Sequence, residues 1–292
     1  MQTIESSKRV SFENILFATD FSSHSEAALP YALSIARKYG SKLFPVHVIS
    51  LSPFPNSAPT LALQSIAAQA VREAKAAIAK LEPRLGGILH EAIIRKGDLA
   101  EQLSSIIADQ KIDLIVAGTR GRTGVSKFLM GSVAERIFRQ APCPVLTVGP
   151  NVSGEPGAIV DIHSILLPVD FSAESLAAAP YAISLAQENQ ARLYLLHVTD
   201  ALVDRETEES LKSRLMGLIP QGTKLLCEPK AYVSSGQAPL AILALAEELA
   251  VDLMVLGVKQ TPRFPSATTH LAMATAYKVV SDAICPVLTV RR

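Results

Sequence analysis

The sequence predicts an α/β protein of two tandem, doubly wound domains, each a five-stranded parallel sheet covered by helices on both faces. Three observations predict it. Short runs rich in Val, Ile and Leu alternate with longer stretches of helical period, as in strands buried on both faces by crossover helices. The pattern occurs twice: Asn14–Ser22 (NILFATDFS) matches Ser164–Ser172 (SILLPVDFS) at a shift of 150 residues, and Pro30–Ser34 matches Pro180–Ser184 at the same shift. The 292 residues exceed a typical single core and suit two domains.

In the first copy the pattern gives strands at 14–19, 42–48, 88–95, 113–118 and 144–148, with helices at 24–39, 60–82, 99–110 and 131–140. Ser23 with Glu26 three residues later reads as a capping box opening the first helix, and Gly40 stands where a left-handed cap would close it. The second strand, LFPVHV at 43–48, recurs as LYLLHV at 193–198. The fourth, DLIVAG at 113–118, recurs as DLMVLG at 252–257, and CPVLTV at 143–148 recurs unchanged at 285–290. A repeat this long is a duplicated domain, because solenoid units have periods of only about 20–50 residues. The expected division is a domain at 1–150, a linker at 151–163 carrying Gly154, Pro156 and Gly157, and a domain at 164–292.

Composition excludes several classes of function. Hydrophobic residues make up 49% of the chain and charged residues 19%, which supports packed interiors rather than disorder. A net charge of +1 gives no electrostatic reason to expect nucleic acid or an anionic membrane as partner. Three cysteines without CxxC spacing suggest neither a zinc site nor a disulfide framework. The N-terminal residues lack the apolar core of a signal peptide and no stretch has the length of a membrane span, so a cytoplasmic location is expected.

The functional expectation centres on residues 118–132, a glycine-punctuated loop running out of the fourth strand into a helix. Glycine lets backbone N–H groups approach an anion, the following helix directs its positive end to the same place, and Ser132 can add a hydroxyl. Open parallel sheets bind ligands beyond the carboxyl ends of their strands, where strand order reverses. Three segments should converge there: the loop holding Asp20, the end of the second strand at Val48, and the loop from Gly118.

These residues resemble the universal stress protein family over essentially the whole chain, as a tandem pair. The specific match is Gly118-x2-Gly121-x9-Gly131-Ser132, the Gly-x2-Gly-x9-Gly-(Ser/Thr) pattern of that family's ATP-binding members, supported by Ala18-Thr19-Asp20-Phe21-Ser22 and CPVLTV. The resemblance implies a strand order of 3-2-1-4-5, pairing through the last strand, and ATP across the strand ends with Mg²⁺ at its phosphates. It implies that Asp20 and the backbone of Val48 contact adenine, and that Gly118, Gly121, Gly131 and Ser132 hold ribose and phosphates. By the same resemblance Ala18, Thr19, Ala117, Arg120 and Val133 would line the site, while Arg122 and Lys127 would add positive charge nearby.

The second copy departs from the pattern. Gly257 is kept, but Gln260 stands at the second glycine position, and alignment back from CPVLTV sets Met273 and Ala274 against Gly131 and Ser132. The intervening loop gains three residues and includes Pro262 and Pro265, which supply no N–H. A methionine at a helix start would intrude on the phosphates, so the second copy is expected to bind ATP weakly or not at all, despite Asp170 and Val198.

Plainer readings stand beside these. Asp20 and Asp170 can simply brace a turn before Phe-Ser, and His47 and His197, without a nucleophile motif, read as packed histidines. Cys143 and Cys285 read as buried small hydrophobes. The edges 145–148 and 287–290 are expected to pair within the chain in a pseudo-twofold, and dimerisation of the whole chain is compatible with this. The stretch Leu51–Pro59 reads either as a lid or as a long connection. Two other functions remain open: a nucleotide-free dimerisation module, and, ranked last, an enzyme that adenylates or hydrolyses a small molecule. No positioned base marks the chain as a dedicated enzyme, although weak ATP hydrolysis fits.

Overall fold

The computed structural model describes residues 9–50, 60–119, 131–152, 160–259 and 269–291, with backbone alone at 60–64, 132 and 269–274. The first half runs β1 (Asn14–Ala18), α1 (Ser23–Glu26), α2 (Leu29–Tyr39), β2 (Lys42–Ile49), α3 (Thr60–Leu81), β3 (Ile93–Lys96), α4 (Leu99–Asp109), β4 (Leu114–Gly118), α5 (Ser132–Gln140) and β5 (Val145–Val148). The second half runs β6 (Ser164–Pro168), α6 (Ala173–Asn189), β7 (Arg192–Thr199), α7 (Arg205–Met216), β8 (Lys230–Ser235), α8 (Ala238–Glu248), β9 (Leu253–Val258), α9 (Thr269–Asp282) and β10 (Val287–Arg291).

The strands form one continuous sheet in the order β3-β2-β1-β4-β5-β10-β9-β6-β7-β8. Each half has the order 3-2-1-4-5 and is parallel throughout, and the halves meet where β5 and β10 pair antiparallel, Leu146 opposite Leu288. Fully buried residues from both halves, among them Phe12, Leu146, Leu253 and Leu288, share one hydrophobic cluster. Each half therefore buries its last strand against its copy, which removes two exposed edges.

Several element boundaries differ from the sequence reading. The first helix is capped by Ser22, not Ser23: the Ser22 side chain accepts from the Ser25 N–H, and Glu26 pairs with Arg84 at 2.9 Å instead of closing a capping box. The expected helix at 24–39 is split into α1 and α2 ahead of Pro30, which has no N–H for the ladder, whereas the equivalent Pro180 lies inside the unbroken α6. Gly40 closes α2 at φ 67°, the left-handed cap expected of it. The strand expected at 88–95 is only an isolated bridge at His90 followed by β3, since Leu43 bonds Leu89 and Glu91 but regular pairing begins at Ile93.

Candidate functional site

Strand order reverses between β1 and β4, so their carboxyl ends open a crevice into which α1 and α5 direct their N-termini. At the end of β1, Thr19 is buried and bonds the Val46 carbonyl through its N–H at 3.0 Å. Phe21 takes the left-handed conformation at φ 60°, and Asp20 Oδ1 accepts the Ser22 N–H at 3.0 Å, forming a tight Asx turn. His47 Nδ1 donates to the Thr19 carbonyl at 2.8 Å while its ring packs on Phe21 with centroids 4.7 Å apart. The half-buried His47 thus braces the β1 loop through the tautomer protonated at Nδ1.

The second half repeats this device. Phe171 has φ 60°, Asp170 Oδ1 accepts the Ser172 N–H at 2.9 Å, and His197 Nδ1 donates to the Val169 carbonyl at 2.7 Å. Desolvation opposes ionisation of Asp170, but bonds from Ser172 and Ser175 outweigh it and hold the carboxyl below its ordinary range. The turn-bracing reading of both aspartates describes what these carboxylates do within the protein. Neither the Ser22 cap nor the left-handed Phe21 was foreseen; the repeated Asp-Phe-Ser was their only signal.

Gly118 has a role that the sequence reading missed. A Cβ there would collide with the His24 carbonyl and lie 3.1 Å from Ser25 Cα, so the glycine lets α1 pack against the end of β4. Gly257 meets the backbone of Glu174 in the same way. The second copy keeps this glycine, as the same helix–strand contact requires in both copies.

Of the sequence-predicted residues, Ala18, Thr19, Asp20 and Val48 come together at the ends of β1 and β2, with Ala117 and Gly118 beside them on β4. Arg120 and Gly121 lie outside the described residues, as do Arg122, Lys127, Leu51–Pro59, Gln260, Pro262 and Pro265. Gly131 is the N-cap of α5, its N–H donating to the Thr119 carbonyl at 2.7 Å, which ties together the two ends of the glycine loop. Ser132 is the first residue of α5, and Val133 is exposed. Thr119 was not singled out, yet it is only 2% exposed and its hydroxyl has no partner among the described residues. Its counterpart in the second copy, one residue after Gly257, is the buried Val258.

One expectation about the second copy is corrected. Met273 does not stand at a helix start: α9 begins at Thr269, so Met273 is more than a turn inside it. Ala272, Met273 and Ala274 are strong helix formers where the first copy has Met130-Gly131-Ser132, and without a glycine to break it the helix extends backward. On the offset of 142 that relates Cys143 to Cys285, Thr269 corresponds to Lys127, within the first copy's loop. The thiols of Cys143 and Cys285 are buried and pushed by desolvation up to about 12, as expected of small apolar fillers. No group of three or more His, Cys, Asp or Glu able to hold a metal occurs among the described residues.

Fold and site define a class: an open-sheet α/β protein with a crevice over the carboxyl ends of its strands, built twice in one chain. The model of the universal stress protein family matches residues 11–149 and again 161–291, and the chain belongs to that family. A universal stress protein of Methanocaldococcus jannaschii is 31% identical over 140 residues, 47% of this chain and 82% of the relative. One from Mycolicibacterium smegmatis is 26% identical over 292 residues, covering 95% of this chain and 96% of its own length. The crystal structure of a universal stress protein from Archaeoglobus fulgidus superposes with a TM-score of 0.72 at 21% identity, covering 96% of this chain and 98% of that one, and so shares the tandem fold. Among the described residues no helix is long and apolar enough to cross a membrane.

Proposed function

We propose that the first domain binds ATP at the crevice between β1 and β4 and that the second domain serves as its structural or regulatory partner. Thr119 carries this reading. A buried hydroxyl without a hydrogen-bond partner is costly, and this one lies where the glycine loop leaves β4, whereas the second domain has valine there. The pinned loop ends, the Gly131 cap and the N-terminus of α5 supply an anion site beside it. Asp20, in the turn after β1, and the Val48 backbone would face the base. Mg²⁺ would arrive with the phosphates. The reading includes a cytoplasmic setting, with which free Cys143, Cys227 and Cys285 agree. It assigns binding, not turnover, so the nucleotide acts by shifting the population of loop conformations.

Titration calorimetry of the purified chain with ATP and Mg²⁺ tests it. One ATP per chain is expected. Gly131→Met should weaken binding at least about ten-fold, and Thr119→Val about five-fold through loss of one hydrogen bond. Absence of binding, or affinity unchanged in both variants, would overturn the reading in favour of a nucleotide-free pairing module.

A further inference from the structure

The outer edges of β2 and β7 are closed differently. In the second half β8 pairs with β7 from Lys230 onward, opposite Tyr194, and Pro229 takes the register position that His90 has in the first half. In the first half regular pairing begins only at Ile93, and residues 89–92 lie along β2 as a strap. Two backbone bonds hold the strap: the Leu43 N–H donates to the Leu89 carbonyl at 2.8 Å, and the Glu91 N–H to the Leu43 carbonyl at 3.0 Å. Buried Ile88 and Ile93 anchor its ends, while Leu89 between them is 69% exposed.

His90 stands within this strap with both ring nitrogens facing acceptors. Nδ1 lies 2.7 Å from the Ile88 carbonyl, and Nε2 lies 2.7 Å from Oε2 of Glu82, which opens the one-turn 3₁₀ helix Glu82–Leu85 after α3. A carbonyl and an ionised carboxylate can only accept, so both nitrogens donate, and an imidazole that donates from both is the protonated form. We propose that His90 is a proton-operated clasp: protonated, it ties the strap to the turn after α3, and on losing its proton it lets the strap lift from the edge of β2.

Deprotonation leaves one ring nitrogen with a lone pair aimed at an acceptor, so one of the two contacts has to break. The Ile88 carbonyl is fixed by a buried residue only two positions away, whereas the Glu82 side chain is exposed and free to swing aside. The Glu82 contact is therefore the one lost. Of the neighbouring charges, Lys42 on β2 is engaged by Glu91 at 2.6 Å and Arg84 on the 3₁₀ turn by Glu26 at 2.9 Å, which leaves Glu82 as the charge acting on the ring. The bonds to Ile88 and Glu82 raise the His90 pKa above its ordinary value, against the smaller opposing effect of desolvation. A raised folded pKa gives stability that is complete below the unfolded value and is lost as pH rises through the folded one. The strap is thus closed in acid and loosens toward alkaline pH. Lifting it uncovers the Leu43 N–H and carbonyl, the start of a strand edge able to take up another segment.

NMR of the full chain tests the clasp. The His90 ring signals, identified by their absence in His90→Gln, should titrate above the midpoint of an ordinary histidine, and Glu82→Gln should bring that midpoint down. Exchange of the Glu91 amide, corrected for its intrinsic pH dependence, should lose protection about two- to five-fold between about pH 5.5 and pH 9, the range expected for one exposed ion pair. In His90→Gln the protection should stay at the weaker level at both pH values, and Glu82→Gln, which tests the same contact from the other side, should flatten the dependence likewise. A histidine with a merely structural role would leave Glu91 protection independent of pH. That result overturns the proposal, as does a His90 midpoint at or below the ordinary value, or one that Glu82→Gln does not move.

Discussion

Thr147 and Thr289 hold the two halves together by reciprocal hydrogen bonds across the pseudo-dyad. Thr147 Oγ1 donates to the Val287 carbonyl at 3.1 Å and Thr289 Oγ1 to the Val145 carbonyl at 3.2 Å. Both side chains are buried, and the dyad passes between them at the Leu146–Leu288 pair. Duplication of CPVLTV therefore produces, from one sequence, both members of a self-complementary seam.

Removing either hydroxyl while keeping its shape should cost a modest, similar amount. Thr147→Val and Thr289→Val are each expected to lower unfolding free energy by about 1 kcal/mol, since the carbonyl acceptor is left with one fewer partner. Urea denaturation of the two variants measures this. Unequal losses would mean that the two halves do not carry the seam symmetrically.

Filling the glycine contact should be worse than filling the glycine loop. Gly118→Ala and Gly257→Ala each drive a methyl into helix backbone, at the His24 and Glu174 carbonyls respectively. Each is expected to destabilise by about 1–3 kcal/mol. Gly131→Met, at an N-cap already in an extended conformation (ψ 150°), should lose ligand binding with far less effect on stability. Denaturation midpoints alongside ATP titration separate the two kinds of glycine.

Arg291 carries a penalty that depends on pH. Its guanidinium is buried and lies 5.7 Å from the Phe138 ring centroid, Nη1 donates to the Ala141 carbonyl at 3.3 Å, and Nε and Nη2 have no hydrogen-bond partner among the described residues. Burial pulls its pKa down to about 10. The unfolded chain thus holds this proton more tightly than the folded one. The penalty is present in full below pH 10 and is relieved as pH rises from there toward the unfolded value. Arg291→Met should raise stability at pH 7 by about 1 kcal/mol, and the advantage should shrink above pH 10. Urea midpoints at pH 7 and pH 10.5 check both statements.

The cysteines should separate cleanly by reactivity. Thiolate is the nucleophile, and burial keeps Cys143 and Cys285 protonated far above neutrality. Iodoacetamide at pH 8 is expected to label Cys227, which is only partly buried, and to spare the other two until the protein is denatured. Peptide mass spectrometry reads the sites directly.

The sequence was most informative where a requirement is local and repeated. Alternating apolar runs and the 150-residue shift gave two α/β units because period and burial are properties of contiguous residues. Gly40 was legible because a helix end needs a left-handed residue whatever surrounds it. Ser22 and Ser23 were confused because either serine can cap, and only the placement of Ser25 and Arg84 decides between them. The packing role of Gly118 was not legible because nothing in the sequence tells which helix backbone will approach it.

The chain's amino acids alone determined the duplication, the open parallel sheet in each half, and family membership, since each depends on patterns that survive without coordinates. Only the tertiary structure decided that Gly118 and Gly257 serve helix packing, that Thr119 is buried with a hydroxyl unpaired among the described residues, that α9 begins at Thr269, and that the second half keeps a cavity at the carboxyl ends of β6, β7 and β9. Those four depend on which distant segments come into contact, and contact between residues far apart in sequence is set by packing of the whole sheet rather than by any local preference.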